Sequence, residues 1–254
     1  MTKIKAGICE CPSDLSPDSD AWKRLCENVS REAPRLFLLN EMPFGPWIAA
    51  GSEFDETRWN ESVDAHERGM RHLHELGASI VAGTRPRMNG SLRTNEAFIG
   101  SEAVHTKQYF PDEEGYYEAR WFDPGERNFR VASAGALRCG FMICTELMFN
   151  EHARRYGRIG AHAILVPRAT GSGSLDRWLV AMRMAAIVSG SYVLTSNRSG
   201  TDANGQTFGG RGWIIDPFGT VVATTSPESP AVFHEIDTEL VAKAQSEYPC
   251  YVRE

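Results

Sequence analysis

The chain has 254 residues, of which 42% are hydrophobic and 24% are charged, and this balance is typical of a globular protein that buries a sizeable core. Its 27 lysine and arginine residues against 33 aspartate and glutamate residues give a formal net charge of −6. Because no basic block or basic face is present, the sequence argues against nucleic acid and anionic lipid as the main partners.

The N-terminal segment 1–14 lacks the apolar core of a signal peptide, and no stretch approaches the roughly 18 apolar residues of a membrane span. We therefore expect a cytoplasmic protein. The cysteines are too sparse for a disulfide scaffold and match no zinc-binding spacing, so we expect no metal. They are Cys9, Cys11, Cys26, Cys139, Cys144 and Cys250. We interpret Cys9 and Cys11 as ordinary residues on one face of a strand.

In chain order, short apolar and β-prone runs are separated by stretches with helical spacing. The runs lie at 4–9, 36–41, 78–84, 95–100, 137–144, 161–167, 190–197, 212–217, 220–225 and 231–237. The stretches with helical spacing lie at 19–33, 57–76, 149–159 and 174–189. This alternation predicts an α/β protein with helices layered on a sheet.

After residue 195 the pattern changes, because strands follow one another through the turns ANGQ, DPFGT and SPESP. Such turns predict antiparallel hairpins. The sequence contains no repeat and no low-complexity linker. We therefore predict a single α/β domain spanning residues 1–254, with ten or more strands, a number that commonly splits into two packed sheets.

The apolar run 137–144 ends on a thiol, Cys144. Residues 146–159 have the pattern of a helix that begins just after it, so the backbone N–H groups of Thr145 and Glu146 would face the sulfur or an oxyanion beside it. Such a position activates a cysteine as a nucleophile. Most buried cysteines are inert, and Cys139 lacks this setting, so we place Cys139 in the core.

Two more polar residues stand at the ends of predicted strands. Glu41 closes the run 36–41, and a carboxylate at the carboxyl end of a buried strand more often faces a cleft than solvent. Lys107 lies in an aromatic-rich loop at 105–126 and has no partner at helical spacing. Taken alone, Glu41 could instead cap a helix or lie on the surface, and a solvated loop residue is the favoured interpretation of Lys107. Together with Cys144, they supply a base, a cation and a nucleophile.

Three stretches resemble, in order and context, the signature blocks of the carbon-nitrogen hydrolase family, the nitrilase superfamily. They are LFLLNEMPFG, HTKQYFPDEEGYYEARWFDPG and GFMICTELMFNEHARRYGRIGAHAILVP. Further similarity lies in IKAGICECPSD, GSYVLTSNRSG and GGRGWIIDPFGTVVATT, so that the resemblance covers roughly residues 4–237. It implies a four-layer α-β-β-α sandwich, with two packed mixed β-sheets and helices outside, a Glu-Lys-Cys triad, and no metal or organic cofactor.

Carried over position by position, the resemblance implies that Glu41 is the general base, Lys107 the cationic electrophile and Cys144 the nucleophile. Glu118 matches a second family glutamate that supports the lysine and orients the substrate, and we prefer it to the neighbouring Glu113 and Glu114 because the residues after it fall in the family register. The backbone N–H of Thr145 would help to hold the oxyanion. The implied reaction is hydrolysis of a small amide through a cysteine thioester.

The chain departs from the family pattern at Asn40, where a proline is usual, and at Thr145, where an aromatic residue is usual. Neither change removes a reacting atom, but both put the shape of the pocket in doubt. The loop YFPDEEGYYEARWFDPG is similar to that of N-carbamoyl polyamine amidases, which favours an amide or N-carbamoyl substrate over a nitrile.

Segments that border the pocket in the family contain Trp47, Trp121, Arg168, Arg177 and Trp178. From these we predict Trp47, Trp121 and Arg168 as substrate-binding residues. Arg168 could clamp a substrate carboxylate through two hydrogen bonds, although a salt bridge at an interface or on the surface is the favoured alternative.

Two other functions stay open at this point. One is a nitrilase with the same fold, and the other is a non-catalytic binding or scaffold protein, which the complete triad disfavours. The resemblance also implies a homodimer or larger homo-oligomer. Residues 146–159 and the C-terminal segment 248–254 are the expected contact elements, although their apolar faces could equally complete the core of a monomer.

Overall fold

The computed structural model describes residues 3–126 and 128–252. Its strands are β1 (Lys3–Pro12), β2 (Leu36–Leu38), β3 (Ile80–Asn89), β4 (Leu92–Ile99), β5 (Glu102–Thr106), β6 (Ala132–Ala134), β7 (Leu137–Phe141), β8 (Ala163–Arg168), β9 (Tyr192–Thr201), β10 (Thr207–Gly209), β11 (Trp213–Ile215), β12 (Val221–Thr224) and β13 (Ala231–Asp237). Its α-helices are α1 (Asp20–Glu32), α2 (Glu56–His72), α3 (Glu118–Trp121), α4 (Asn150–Arg158), α5 (Leu175–Ser189) and α6 (Thr238–Ser246).

Strand β1 joins the two halves of a 13-stranded mixed sheet. Its N-terminal part lies between β13, which is antiparallel to it, and β2, which is parallel, and β3, β4 and β5 continue this first half. Its last residues pair with β9 in parallel, and β8, β7 and β6 continue the second half. Strand β9 also pairs with the shorter β10 and β11. The prediction of an α/β protein is confirmed, and its strands form one connected mixed sheet.

Side chains from both halves of the sheet meet in one hydrophobic cluster. Ile8 and Leu38 come from the first half, and Phe141 and Leu194 come from the second. On the other face of the first half, α1 packs its buried Trp22 into a separate cluster with strand residues such as Phe37. Burial of this apolar surface from both sides is the main favourable contribution to the free energy of folding. The four-layer order of the predicted sandwich stays a prediction.

The direction of the strands brings the ends of several of them to one edge. Strands β1, β2 and β3 are mutually parallel along the first half, and two antiparallel pairings lead from β3 to β5, which therefore runs the same way. Strands β7, β8 and β9 are also parallel, and β9 is parallel to β1. The carboxyl ends of β2, β5, β7 and β8 thus share one direction, as in the ligand-binding edges of other α/β proteins.

Each of the ten predicted apolar runs overlaps a strand, and the predicted helices at 19–33, 57–76, 149–159 and 174–189 correspond to α1, α2, α4 and α5. The sequence interpretation missed β5, β6, β10, α3 and α6. Strand β6 has three residues and β5 carries two charged or polar ends, so neither gives a clear apolar alternation. The prediction that β2 reaches Glu41 and that β7 reaches Cys144 was wrong by three residues in both cases, because the strands end at Leu38 and Phe141.

The predicted continuous helix at 146–159 was also wrong. A 3-10 turn covers Cys144–Met148, and α4 begins only at Asn150. Phe149 separates them with φ −101° and ψ 74°, a conformation that no helix continues through. The predicted contact segment at 248–254 is described as far as Val252, and Arg253 and Glu254 lie outside the described residues.

The hairpins predicted for the last third are confirmed at two of the three turns. Strands β9 and β10 are antiparallel neighbours, and so are β11 and β12. The third turn, at 226–230, was predicted wrongly, because β13 leaves β12 and pairs with β1.

Among the described residues, no helix combines the length and the apolar character that crossing a bilayer requires.

Candidate active site

Cys144 lies three residues beyond the end of β7 and begins the 3-10 turn. Its φ angle is 47°, in the left-handed region that residues with a Cβ atom rarely adopt. The chain therefore turns sharply at Cys144, the residue that carries the sulfur, and leaves the direction of the strand. Nucleophiles of other hydrolases stand on similar turns. The backbone N–H of Thr145 donates to no acceptor among the described residues, whereas that of Glu146 donates to the carbonyl of Ile143 at 3.1 Å. Thr145 therefore keeps a donor for an oxyanion, and Glu146 does not.

Lys107 follows directly after β5, and its ammonium lies between two carboxylates. Its Nζ atom is 2.8 Å from Oε1 of Glu41 and 2.6 Å from Oε2 of Glu118. The side chains of Lys107 and Glu41 are 0% exposed and that of Glu118 is 1% exposed. A buried charge is tolerated when opposite charges and hydrogen bonds surround it, and this arrangement fixes the ammonium at one position.

Glu41 lies three residues beyond the end of β2 and uses its two carboxylate oxygens differently. Oε1 accepts hydrogen bonds from Lys107 and from Nδ2 of Asn95, both at 2.8 Å. Oε2 is buried and has no hydrogen-bond partner among the described residues. A buried carboxylate oxygen without a donor is costly, so Oε2 is the atom of this group that is ready to accept a proton.

The charges around Cys144 keep its thiol protonated. Burial and the carboxylate of Glu41 raise the pKa of Cys144 well above its usual range, and the Lys107 ammonium and the backbone N–H of Ala169 only partly oppose this. The sulfur therefore rests as a thiol and needs a base at the moment of reaction.

Burial alone would lower the pKa of Lys107, but the carboxylates of Glu118 and Glu41 outweigh it and hold that pKa well above its ordinary value. The lysine therefore stays charged. Burial raises the pKa of Glu118 to about 8, against the lowering effect of Lys107, and the nearby carboxylate of Glu41 adds to the rise. A single ammonium thus contacts two carboxylates, and Glu118 holds its proton more tightly than a solvated glutamate does.

A cavity of about 90 Å³ opens onto the sulfur. Its walls include Glu118, Thr145, Tyr116, Ala169, Thr170 and Trp178 as well as Cys144. The hydroxyl of Tyr116 is buried, and it makes no hydrogen bond of ordinary geometry among the described residues. This volume admits a small molecule with few heavy atoms next to the thiol.

The structure brings together four of the predicted side chains, Glu41, Lys107, Glu118 and Cys144, with the backbone N–H of Thr145. Glu113 also borders the cavity, but it is exposed, as is Glu114. Of the three glutamates in this loop, Glu118 is the one that contacts Lys107.

Trp47, Trp121 and Arg168 are fully buried and do not contribute to the wall of this cavity. The indole N–H groups of the two tryptophans donate to the carbonyls of Gly115 and Gly51. Their substrate-binding role stays a prediction, and their position is that of supports behind the site.

Arg168 is committed to neutral groups of the protein itself. Its guanidinium donates to the hydroxyls of Thr195 at 2.7 Å and Thr170 at 2.8 Å and to the carbonyl of Arg211. The rings of Trp213 and Trp178 lie 4.8 and 5.7 Å from its central carbon. Burial lowers the pKa of Arg168 to about 9. With each guanidinium nitrogen already donating to the protein, this geometry favours neither a carboxylate clamp nor the expected salt bridge.

Sequence reasoning missed Asn95, which holds Glu41 in place, and it assigned no side-chain role to Glu146. Asn95 stands inside the apolar run 95–100, where a polar residue in a buried strand is a detectable signal. Glu146 is 0% exposed and is hydrogen-bonded to His105 at 2.8 Å. A glutamate two residues after the proposed nucleophile is likewise visible in the sequence.

Comparison with known proteins decides the family. A family model described as carbon-nitrogen hydrolase matches residues 5–245. The chain belongs to the carbon-nitrogen hydrolase family. The predicted family is thus confirmed, and with it the prediction of an enzyme that hydrolyses carbon–nitrogen bonds other than peptide bonds.

Individual relatives and a structural neighbour agree with this assignment. This carbon-nitrogen hydrolase is similar to an N-carbamoylputrescine amidase of Arabidopsis thaliana, with 26% identity over 93% of this chain and 87% of the relative. It is also similar to a nitrilase of Pyrococcus abyssi, with 29% identity over 91% of this chain and 88% of the relative. The crystal structure of a carbon-nitrogen hydrolase from Helicobacter pylori superposes with a TM-score of 0.83 at 20% identity, covering 98% of this chain and 94% of that one, which shows a common fold.

Proposed function

We propose that this carbon-nitrogen hydrolase cleaves a small amide or N-carbamoyl compound to the acid and ammonia, through a thioester on Cys144. The observation that carries the proposal is the hydrogen-bonded group of Glu41, Lys107 and Glu118, buried next to a cavity that opens onto the Cys144 thiol. Named amidases among the relatives of the chain support an amide over a nitrile.

The first half of the reaction forms the thioester. Oε2 of Glu41 takes the proton of the thiol as the sulfur attacks the carbonyl carbon of the amide, which suits a thiol that rests protonated. The Lys107 ammonium and the backbone N–H of Thr145 stabilise the negative oxygen that develops, each at about 3 kcal/mol. Glu41 then gives its proton to the leaving nitrogen, ammonia departs, and the carbonyl carbon stays bonded to the sulfur.

The second half returns the site to its starting state. A water molecule enters the place of the ammonia, and Glu41 takes one of its protons while its oxygen attacks the thioester carbon. The carbon–sulfur bond breaks, the proton returns to the sulfur, and the acid leaves. Glu118 does not react in this scheme. It holds the Lys107 ammonium where the oxyanion forms, which is a positioning role.

Ammonia release across small amides, ureido acids, N-carbamoyl amines and nitriles tests the proposal. We expect release from one class of amide, loss of that release in Cys144→Ala, and an acyl adduct on Cys144 in the mass spectrum of the wild type. Cys139→Ala is the matched control, because Cys139 is a buried cysteine of β7 that does not border the cavity.

Ammonia release that survives in Cys144→Ala would refute the nucleophile assignment. Conversion of a nitrile with no conversion of the matching amide would favour the nitrilase alternative, for which the similarity to the Pyrococcus abyssi nitrilase is the supporting observation. Failure to release ammonia from any compound, together with no adduct, would favour a binding protein.

We also propose that the chain is one domain built as a four-layer sandwich, with α1 outside the first half of the sheet. The shared hydrophobic cluster between the halves and the packing of α1 on the opposite face support this arrangement. Exposed apolar side chains of α5, among them Val180 and Met184, support a homo-oligomer. The cytoplasmic location stays a prediction.

A further inference from the structure

The carboxylate of Glu146 is hydrogen-bonded on both of its oxygens in a fully buried position. Oε1 accepts from the backbone N–H of Gln108 at 2.7 Å, and Oε2 accepts from the backbone N–H of Ile143 at 2.7 Å. Nε2 of His105 lies 3.0 Å from Oε1 and 2.8 Å from Oε2. Glu146 itself is 0% exposed and does not border the cavity at Cys144.

The two backbone groups that Glu146 binds belong to different parts of the site. Ile143 immediately precedes Cys144, and Gln108 immediately follows Lys107. The nucleophile comes from the second half of the sheet and the lysine from the first. A single side chain therefore fixes the distance between the segments that carry these two groups, and sheet hydrogen bonds do not connect β5 with β7.

The contact to Ile143 also bears on the conformation of Cys144. A residue with a Cβ atom at φ 47° is strained by about 1 kcal/mol or more, and surrounding contacts must hold it there. The bond from the Ile143 N–H to Oε2 fixes the peptide just before this residue, and the backbone N–H of Glu146 donates back to the carbonyl of Ile143. These two bonds close the turn on both sides of Cys144.

We propose that Glu146 is a positioning residue, which sets the Cys144 sulfur and the Lys107 ammonium at the separation that the reaction requires. This inference rests on the proposed function, in which both groups act on one carbonyl. The carboxylate of Glu146 is hydrogen-bonded to His105, Gln108 and Ile143 and does not border the cavity, so its effect reaches the chemistry through the backbone of Ile143 and Gln108.

The chemistry of the contacts requires a carboxylate at this position. Two backbone N–H groups approach different oxygens, so both oxygens must accept. A glutamine has one acceptor oxygen, and its amide nitrogen would face the second N–H as another donor. An aspartate keeps two acceptors but is one methylene shorter, so it reaches one backbone segment at a time.

The test compares Glu146→Gln and Glu146→Asp with the wild type in two assays, turnover of the amide found by the ammonia screen and alkylation of Cys144 by iodoacetamide. Since a misplacement of about 1 Å costs about 100-fold in rate, we expect Glu146→Gln to lower kcat by about that factor with KM within about 3-fold of the wild type. Alkylation of Cys144 should slow as well, and Glu146→Asp should give an intermediate kcat.

Glu10→Gln is the matched control. Glu10 is also a buried carboxylate that accepts a backbone N–H, from Arg211 at 2.9 Å, and a hydroxyl, from Thr225 at 2.7 Å. Its loss should lower the melting temperature and leave kcat and alkylation unchanged. If Glu146→Gln lowers only the melting temperature, as Glu10→Gln does, then Glu146 has a purely structural role and the proposal is wrong.

The experiment can still be interpreted if a variant does not fold or if the wild type shows no turnover. If Glu146→Gln does not fold, Glu146→Asp takes its place, and an unchanged kcat in that variant overturns the proposal. If the wild type turns over no compound in the screen, the proposed function fails. The alkylation rates of wild type and variants then still decide whether Glu146 positions Cys144.

Discussion

The ammonium of Lys107 and the carboxylate of Glu118 lie 2.6 Å apart, and both side chains are buried. The same ammonium is 2.8 Å from Glu41, so one positive charge compensates two negative ones. Ion pairs of this kind do not necessarily stabilise a fold, but removal of one partner leaves an uncompensated buried charge that costs about 3–5 kcal/mol. Replacement of Lys107 should therefore have a large effect on stability, and it tests whether the two carboxylates depend on this cation.

We predict that Lys107→Met abolishes turnover and destabilises the protein more as the pH rises. Even beside Lys107, burial raises the pKa of Glu118 to about 8, and without the cation this buried carboxylate holds its proton more tightly still. A folded-state pKa above the unfolded value contributes stability that is present at low pH and lost as the pH rises through the folded value. The wild type has lost this contribution above about pH 8, whereas the variant continues to lose it. Relative to the wild type, the variant should therefore lose more free energy of unfolding at about pH 9 than at about pH 7.

Urea unfolding at the two pH values measures this difference. Lys243→Met is the control, since Lys243 is exposed and its nearest carboxylate, that of Glu247, is 4.0 Å away. Such surface pairs contribute about 0–1 kcal/mol, so the control should unfold like the wild type. An equal loss of stability at both pH values in Lys107→Met would show that the charge of Glu118 does not depend on the lysine.

The second prediction concerns Arg168. Arg168→Lys should lower kcat/KM by the same factor for amides with and without a carboxylate, because its donors serve Thr195, Thr170 and the carbonyl of Arg211. A lysine cannot reach three separated acceptors, and each buried acceptor left without a donor costs about 1–3 kcal/mol. Thermal unfolding should therefore occur at a lower temperature.

Arg177→Lys is the control for this experiment, because Arg177 is an exposed residue of α5 and its exchange should change neither quantity. A loss of activity confined to carboxylate-bearing amides would instead support the role that the sequence suggested for Arg168, which is to bind a substrate carboxylate.

The candidate reacting residues that the sequence indicated lie together in the fold, and each could be found because it interrupts a pattern. Glu41 and Cys144 follow apolar runs, Lys107 lies at the start of an aromatic loop, and the family resemblance supplied their roles. The sequence could not predict that Glu41 and Cys144 each lie three residues beyond a strand. Apolar residues continue past the end of each strand, so the apolar run is longer than the segment that pairs with neighbouring strands.

The sequence also did not predict contacts between residues that are far apart in the chain. Asn95 binds Glu41 across 54 positions, and Glu146 binds Gln108 across 38. Periodicity describes one element at a time and contains no information about such pairs. Arg168 is an example of a contact predicted with the wrong partner. The sequence suggested that this cation could bind a substrate, but in the fold its donors are used by hydrogen-bond acceptors of the protein and its guanidinium lies between aromatic rings.

The third prediction tests the packing of α4, the helix that follows the Cys144 turn, against α5. A Cβ atom on Gly157 would lie 2.2 Å from the carbonyl oxygen of Ser189, which is backbone and cannot rotate away. Alanine normally stabilises a helix interior by about 1 kcal/mol relative to glycine, but here overpacking should dominate and cost about 1–3 kcal/mol. Denaturant unfolding of Gly157→Ala measures the net effect.

Gly173→Ala is the control for Gly157→Ala, because a Cβ atom on Gly173 meets no atom within 4 Å. That variant should unfold like the wild type. A stabilised Gly157→Ala protein would mean that α4 can move away from α5 at little cost.

The last prediction concerns acid unfolding through His66, a fully buried residue of α2. Its Nε2 atom accepts from the backbone N–H of Phe44 at 3.3 Å, and its Nδ1 faces the carbonyl of Ser62 at 2.7 Å, so the ring is bound as a neutral imidazole. Burial lowers the pKa of His66 from 6.5 to about 3. A depressed folded-state pKa contributes stability that is present above the unfolded value and is lost as the pH falls through the window down to the folded value.

Between pH 6.5 and pH 4.5 this one residue should remove about 2–3 kcal/mol of unfolding free energy, at about 1.4 kcal/mol per pH unit. His66→Gln is less stable at neutral pH, because it loses packing in the cluster around Phe44, but its stability should fall less steeply with acid. His74→Gln, at an exposed position, should keep the slope of the wild type. Urea unfolding across this pH range compares the three proteins, and equal slopes for His66→Gln and the wild type would assign the acid sensitivity to other groups.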